Sequence, residues 1–261
     1  MSYIESILAL LLIFWDISQE HRILLGCLFI AILIIIYLIL WRKANKVTSI
    51  QLQINNSIVN VEAGDIFKYD CLKVITFNEY FDTIVDNDII SSNSLNGIFI
   101  NSQVQQVDKL DSDIANDHIL QEKKICQNES RRKGKLIRYS LGATYLFDDE
   151  YILTAFTHFT DDNKAFLTMS DFLQFLTTFW DQLDRIYSGR SVVIPLLGSG
   201  ITRFKGYDMV SDQELLEIII WSYKVSRVKF TYPSTITFVI NESKKDKINF
   251  YEIKWNKYYD L

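Results

Sequence analysis

Apolar residues fall along this chain in three rhythms. From Ile23 to Trp41 they run unbroken, "ILLGCLFIAILIIIYLILW", about 19 residues without a charge and roughly 28 Å long as a helix, close to the hydrocarbon thickness of a bilayer. Tyr37 and Trp41 fall where interfacial aromatics are expected, and Arg42, Lys43 and Lys46 follow at once. This run predicts a membrane-spanning helix. An earlier segment, Tyr3 to Ile17, is apolar from Ile7 to Trp15 but bracketed by Glu5 and Asp16. As a helix it would reach only about 22 Å. It reads either as a short spanning helix that turns back through "SQEHR", making a helical hairpin, or as an interfacial or re-entrant helix. An acidic leading charge and the lack of a small-residue cleavage site argue against a signal peptide. The basic cluster after Trp41 places the remainder in the cytoplasm by the positive-inside rule. The chain therefore divides into a membrane segment, residues 1–46, and a cytoplasmic domain, residues 47–261.

In the second part the rhythm alternates between period two and period 3.6, which predicts an α/β domain. "SIQLQINNSIVNVEAGDIF" alternates around Asn55-Asn56 and reads as a hairpin. "CLKVITFN" is nearly continuous and reads as an interior strand. Val104, Val107, Leu110 and Ile114 are spaced for a helix, and "NESRRKGK" reads as an exposed loop, solvated or touching anionic lipid. "RYSLGATYLFDDEYILTAFTHF" predicts two strands joined at Asp148-Asp149. "SDFLQFLTTFWDQLDRIYSG" predicts a helix capped by Ser170, with a stripe of Phe172, Leu176, Phe179, Leu183 and Ile186, ended by Gly189. The strand "SVVIPLL" follows; Pro195 there suggests a bulge or a sheet edge. Ser211 and Glu214 form a capping box for the next helix, and "TITFVI" and "INFYEIKW" predict closing strands.

Composition narrows the chemistry. A net charge of −5 gives no reason to expect nucleic acid, which normally demands a basic face. Three cysteines, Cys27, Cys71 and Cys126, lie far apart with no C-x-x-C pair, so neither a disulfide framework nor a zinc site is expected, and no cofactor or structural metal is implied. The stretch most in need of an explanation is "SVVIPLLGSGITRF", where an aliphatic strand gives way to Gly-Ser-Gly. Beyond the carboxyl end of a strand in an open α/β sheet, glycines either turn the chain or let successive amides converge on an anion. Ser199 and Thr202 would add hydroxyl donors.

These motifs occur in a telling order. "EAGDIF", then "CLKVITFNEYF", then "VVIPLLGSGITRF" resembles the macrodomain family, ADP-ribose-binding modules of α/β/α three-layer fold with a mixed sheet. With the apolar N-terminal segments, the whole resembles the transmembrane-macro effectors of Thoeris antiphage systems. That resemblance implies a bacterial inner-membrane protein with a cytoplasmic sensing domain. It also implies a functional partner, a TIR-domain enzyme that consumes NAD, and homo-oligomerisation on binding the signal. The ligand implied is an ADP-ribose derivative, histidine-ADP-ribose among the candidates.

Position by position, the resemblance assigns Asp65 to the adenine amino group with the Ile66 amide beside it, and Asn78 to the distal ribose. Gly198, Ser199, Gly200, Ile201 and Thr202 would wrap the diphosphate through main-chain amides. Phe204 would cover a ribose or base, or serve simply as core. Asp65 and Asn78 have plain readings too, as a turn former and a strand-end turn residue. Where hydrolytic relatives carry a run of glycines, this chain has "SSNSLNGIFI", with Gly97 alone. Ser94, Asn96 and Gly97 are the expected rim of that bulkier loop. His158, ending an apolar strand, reads as structural. Asp82 and Asp86 have no nucleophile to pair with. A ligand-gated membrane effector is therefore expected rather than an enzyme, the alternative being a membrane-tethered ADP-ribose hydrolase.

Overall fold

A computed structural model describes residues 19–200, 203–206 and 210–255. The chain divides into two compact units, the first ending at Val47 and the second beginning at Thr48. In the first unit, helix α1 (Gln19–Asn45) carries a stretch from Ile23 to Asn45, mean hydropathy 3.3, long and apolar enough to cross a membrane. Its aliphatic side chains are exposed all round, Ile23 to Leu40 included. A helix apolar on every side has no single face to turn toward a core, which distinguishes it from an amphipathic surface helix. The expected first apolar helix, residues 3–17, lies outside the described residues.

The second unit is built on a mixed sheet. Strands β1 (Ser49–Ile54) and β2 (Ser57–Ala63) form an antiparallel hairpin, and Asn55 and Asn56 both adopt positive φ, as a tight two-residue turn demands. Strand β3 (Leu72–Asn78) is followed by helices α2 (Leu95–Gln103), α3 (Val107–Asn116) and α4 (His118–Gln121). A small separate ribbon pairs β4 (Lys124–Gln127) with β5 (Ile137–Tyr139). Strands β6 (Thr144–Phe147), β7 (Tyr151–Phe159) and β8 (Ala165–Leu167) precede helix α5 (Met169–Ile186) and strand β9 (Val192–Pro195). Then come β10 (Arg203–Phe204), helix α6 (Asp212–Val225), β11 (Thr235–Ile240) and helix α7 (Phe250–Trp255). Among the described residues the main sheet runs β1-β2-β11-β9-β3-β7-β8-β10, with β6 also paired to β7. Its centre, β2, β11, β9, β3 and β7, is parallel throughout, so those carboxyl ends share one edge.

Alternation sends the strand side chains to two helical layers. Ile75 and Phe77 of β3, with Leu153 and Ala155 of β7, pack against Phe99, Leu110, Ile114 and Leu120 of α2 to α4. On the other face Phe156 of β7 meets Phe172 and Phe175 of α5, and Phe238 of β11 meets Trp180 of α5 and Tyr223 of α6. Burial of both faces explains why the central strands read as continuous apolar runs. This is the expected three-layer α/β architecture.

Four expectations change. The cap of α5 is Thr168, not Ser170: Thr168 Oγ1 accepts from the Asp171 amide, and the Asp171 carboxylate accepts in return from the Thr168 amide. Strand β9 lies inside the sheet, not at its edge. Pro195 is tolerated because odd-numbered positions of β9 face β3, and that ladder ends at Val193, so no donor is needed. "INFYEIKW" contains helix α7 instead of a strand. Phe250 and Ile253, three apart, are buried while Tyr251 and Trp255 are exposed, and Asn249 Oδ1 accepts from the Glu252 amide at its start. Finally, "SLNGIFI" is not loop but the opening of α2, capped by Ser94, whose Oγ accepts from the Gly97 amide at 3.0 Å.

Candidate functional site

The shared edge of the parallel strands opens into a cleft of about 700 Å³. Its walls are the segments that follow those strands: Gly64 to Phe67 after β2, Asn241, Ser243 and Lys244 after β11, Leu196 to Gly200 after β9, and Asn78 closing β3. The end of β7 supplies Phe156, Thr157 and Phe159, and the turn entering α2 supplies Ile89 to Ser91 and Asn93 to Asn96. Residues distant in sequence meet here because a parallel sheet gathers every strand's exit on one side.

At one end, Asp65 caps a short 3₁₀ turn, Ile66–Lys68, one carboxylate oxygen accepting from the Phe67 amide at 3.1 Å. Asp65 is thus the turn former that its position suggests, yet it is exposed and lines the cleft beside buried Ile66. Its second oxygen makes no hydrogen bond among the described residues and is free to accept one.

Next to it lies the glycine loop. Gly198 has φ +83°, which a side chain would strain, and a Cβ there would stand 3.0 Å from Cζ of Phe204. The Phe204 ring is buried, edge-on to Phe172 at 5.6 Å between centroids. Phe204 therefore supports the loop from beneath and is not part of the cleft wall. Ser199 and Gly200 continue the wall, while Ile201 and Thr202 lie outside the described residues. Ser199 Oγ accepts from Lys244 Nζ at 3.1 Å. Burial pushes the Lys244 ammonium below its ordinary pKa, repulsion from Lys247 adds to this, and Asp212 opposes it.

Asn78 is buried with its amide orientation fixed. Oδ1 accepts from the amides of Tyr80 and Asp82, and Nδ2 donates to Asp82 Oδ2 at 2.9 Å. Its second Nδ2 hydrogen has no partner among the described residues, and Asn78 lines the cleft. Behind it Asp82 is fully buried and holds Arg131 bidentately, at 3.1 and 2.6 Å. The guanidinium also stacks over Tyr80, 4.0 Å from the ring centroid, and donates to Asn163 Oδ1. The reading of "NESRRKGK" as solvated fails at Arg131, which is 5% exposed.

Ser94 and Asn96 line the cleft from the first turn of α2, and Asn96 Oδ1 is buried without a partner among the described residues. Gly97 does not reach the wall. A Cβ on it would meet the Ser91 carbonyl at 2.2 Å, so its small size serves the packing of α2 on the preceding turn. His158 lies outside the wall as well. Its Nδ1–H donates to Glu79 Oε2 at 2.7 Å, and Arg138 and the Phe159 amide donate to the same carboxylate. Burial alone would raise the Glu79 pKa, but these donors outweigh it and the net shift is downward. Asp86 caps a surface turn through the amides of Asp88 and Ile89.

The described charged residues of the cleft are thus Asp65 and Lys244, an acceptor after β2 and a cation after β11, the latter hydrogen-bonded to the glycine loop after β9. That arrangement suits a ligand with a hydrogen-bond-donating base and an anionic linkage. Lys244, Asn241 and Ser243 escaped the sequence reading because "NESKKDK" looks like an ordinary charged turn. The signal that would have found them is their place after a parallel strand.

Residues 59–241 match the family described as "Thoeris protein ThsA, Macro domain". Over 247 residues the chain is 35% identical to Thoeris protein ThsA of Bacillus amyloliquefaciens (strain Y2), covering 92% of this chain and 82% of that protein. Among solved structures, an Oceanobacillus iheyensis macrodomain mutant with ADPR is similar in fold, with a TM-score of 0.50 and 12% identity over 82% of this chain and 100% of the other.

Proposed function

The chain belongs to the ThsA macro-domain family of Thoeris proteins, and we propose that it is a membrane-anchored antiviral effector that senses an ADP-ribose-derived nucleotide. In this reading α1 anchors the chain in the bacterial inner membrane, with the second unit in the cytoplasm. The signal, of which histidine-ADP-ribose is one candidate, comes from a TIR-domain partner that consumes NAD. Binding drives copies of the chain together, and the assembled membrane segments disrupt the bilayer. A span with almost no polar side chains cannot line a water-filled path from one copy, which favours assembly over a single-chain channel.

The observation that carries the ligand class is the cleft itself. Asp65 offers an acceptor for an exocyclic amine, and Gly198 to Gly200 with Ser199 and Lys244 offer donors to a diphosphate in the same cleft. Asn78 presents its remaining amide hydrogen farther along the same wall. Calorimetry on the full chain in detergent micelles with ADP-ribose, the core shared by this ligand class, tests the reading. Saturable one-site binding is expected; no heat with ADP-ribose or ADP would overturn it. Release of ADP-ribose from a modified protein, abolished by Asn78→Ala, would instead favour the hydrolase alternative.

A further inference from the structure

Three lysines crowd the turn after β11, and they are not equivalent. Lys245 pairs with Glu242 at 3.4 Å and Lys247 with Asp212 at 3.7 Å. Lys244 makes no ion pair among the described residues. Its ammonium instead donates to the Ser199 hydroxyl across the cleft wall, joining the exits of β11 and β9. The turn that carries it is fixed: Asn241 Oδ1 accepts from the Ser243 amide, and the Asn241 carbonyl accepts from the Lys244 amide.

We infer that Lys244 and Ser199 form a two-residue anion reader that recognises the charge of a nucleoside diphosphate, beyond what the loop amides supply. This rests on the function proposed above. Because Ser199 Oγ already accepts from an ammonium, its own hydrogen is left to donate outward, and two further hydrogens remain on Lys244 Nζ. Both partners then offer donors to the same phosphate. A half-buried cation without a carboxylate partner gains more from an incoming anion than a solvated or already paired lysine would. Backbone amides at Gly198 to Gly200 bind phosphate by shape, whereas this dyad makes the site respond to formal charge. The ligands it selects are those with an anionic linkage close to the base, and neutral nucleosides gain nothing from it.

The test is calorimetry on the full-length chain with ADP-ribose and ADP at several salt concentrations, comparing wild type with Lys244→Met, Lys244→Arg and Ser199→Ala. Lys244→Met keeps the apolar stem, so melting temperature should hold while ADP-ribose affinity falls about 10- to 100-fold. The salt dependence should flatten in that variant and persist in Lys244→Arg. Wild-type affinity and salt slope in Lys244→Met would overturn the dyad while leaving the proposed function intact. A wild-type chain that takes up neither nucleotide would overturn the function itself, and the dyad with it.

Discussion

Glu79, a buried carboxylate, ties the stability of this domain to pH. Glu79 accepts from His158, Arg138 and the Phe159 amide, and its pKa is lower in the fold than in the open chain. A depressed carboxylate stabilises the fold above the ordinary glutamate pKa of about 4.3, and that stabilisation is lost as pH falls through the lowered value. Glu79→Gln should therefore cost about 1–3 kcal/mol near neutrality and flatten the acid limb of stability, read from denaturant melts across the acid range. An acid limb as steep as wild type would assign that limb to other carboxylates. The network was only half legible. His158 at the end of an apolar strand signals a structural role, but nothing in "NESRRKGK" separates Arg131, locked on Asp82, from its solvated neighbours. A one-dimensional charge run does not reveal which member faces inward.

Elements were easier to read than their ends. An unbroken apolar run of bilayer length has one economical conformation, a helix whose amides are bonded internally. Placing a charge at its middle is the direct probe. Ile34→Arg should lower membrane insertion by about 2.5–3.5 kcal/mol and move the chain out of the alkali-resistant membrane fraction. A variant that stays in that fraction would show that α1 is not what holds the chain there. The hairpin at Asn55-Asn56, the strand "CLKVITFN" and the capping box at Ser211 are equally local, since turn chemistry and periodicity lie within a few residues. "INFYEIKW" misled because Ile248 and Phe250 begin a two-residue alternation, while the buried pair Phe250 and Ile253 follows helical spacing. Short apolar runs satisfy both periods, and only the neighbouring element selects between them.

For the molecule as a whole, a nucleotide can move the effector only if it binds the active arrangement more tightly than the resting one. In vesicles carrying the full chain, dye should escape when products of a TIR-domain enzyme acting on NAD are added, and stay inside without them. Gly200→Glu should silence that response without unfolding the domain, because a Cβ at Gly200 meets nothing within 4 Å while the carboxylate opposes phosphate. Leakage undiminished in this variant, or equal without the products, would count against a cleft that gates the membrane. Fold class, a helix long and apolar enough to cross a membrane, and the glycine loop were already legible in residue order, because each depends on a contiguous period, length or motif. Which residues share the cleft was settled only by three-dimensional packing: Lys244 meets Ser199, Gly97 and Phe204 turn from the cleft wall toward packing, and Arg131 goes inside. A parallel sheet brings together strand exits separated by tens of residues, and a linear pattern holds no record of which distant side chains then come within hydrogen-bond reach.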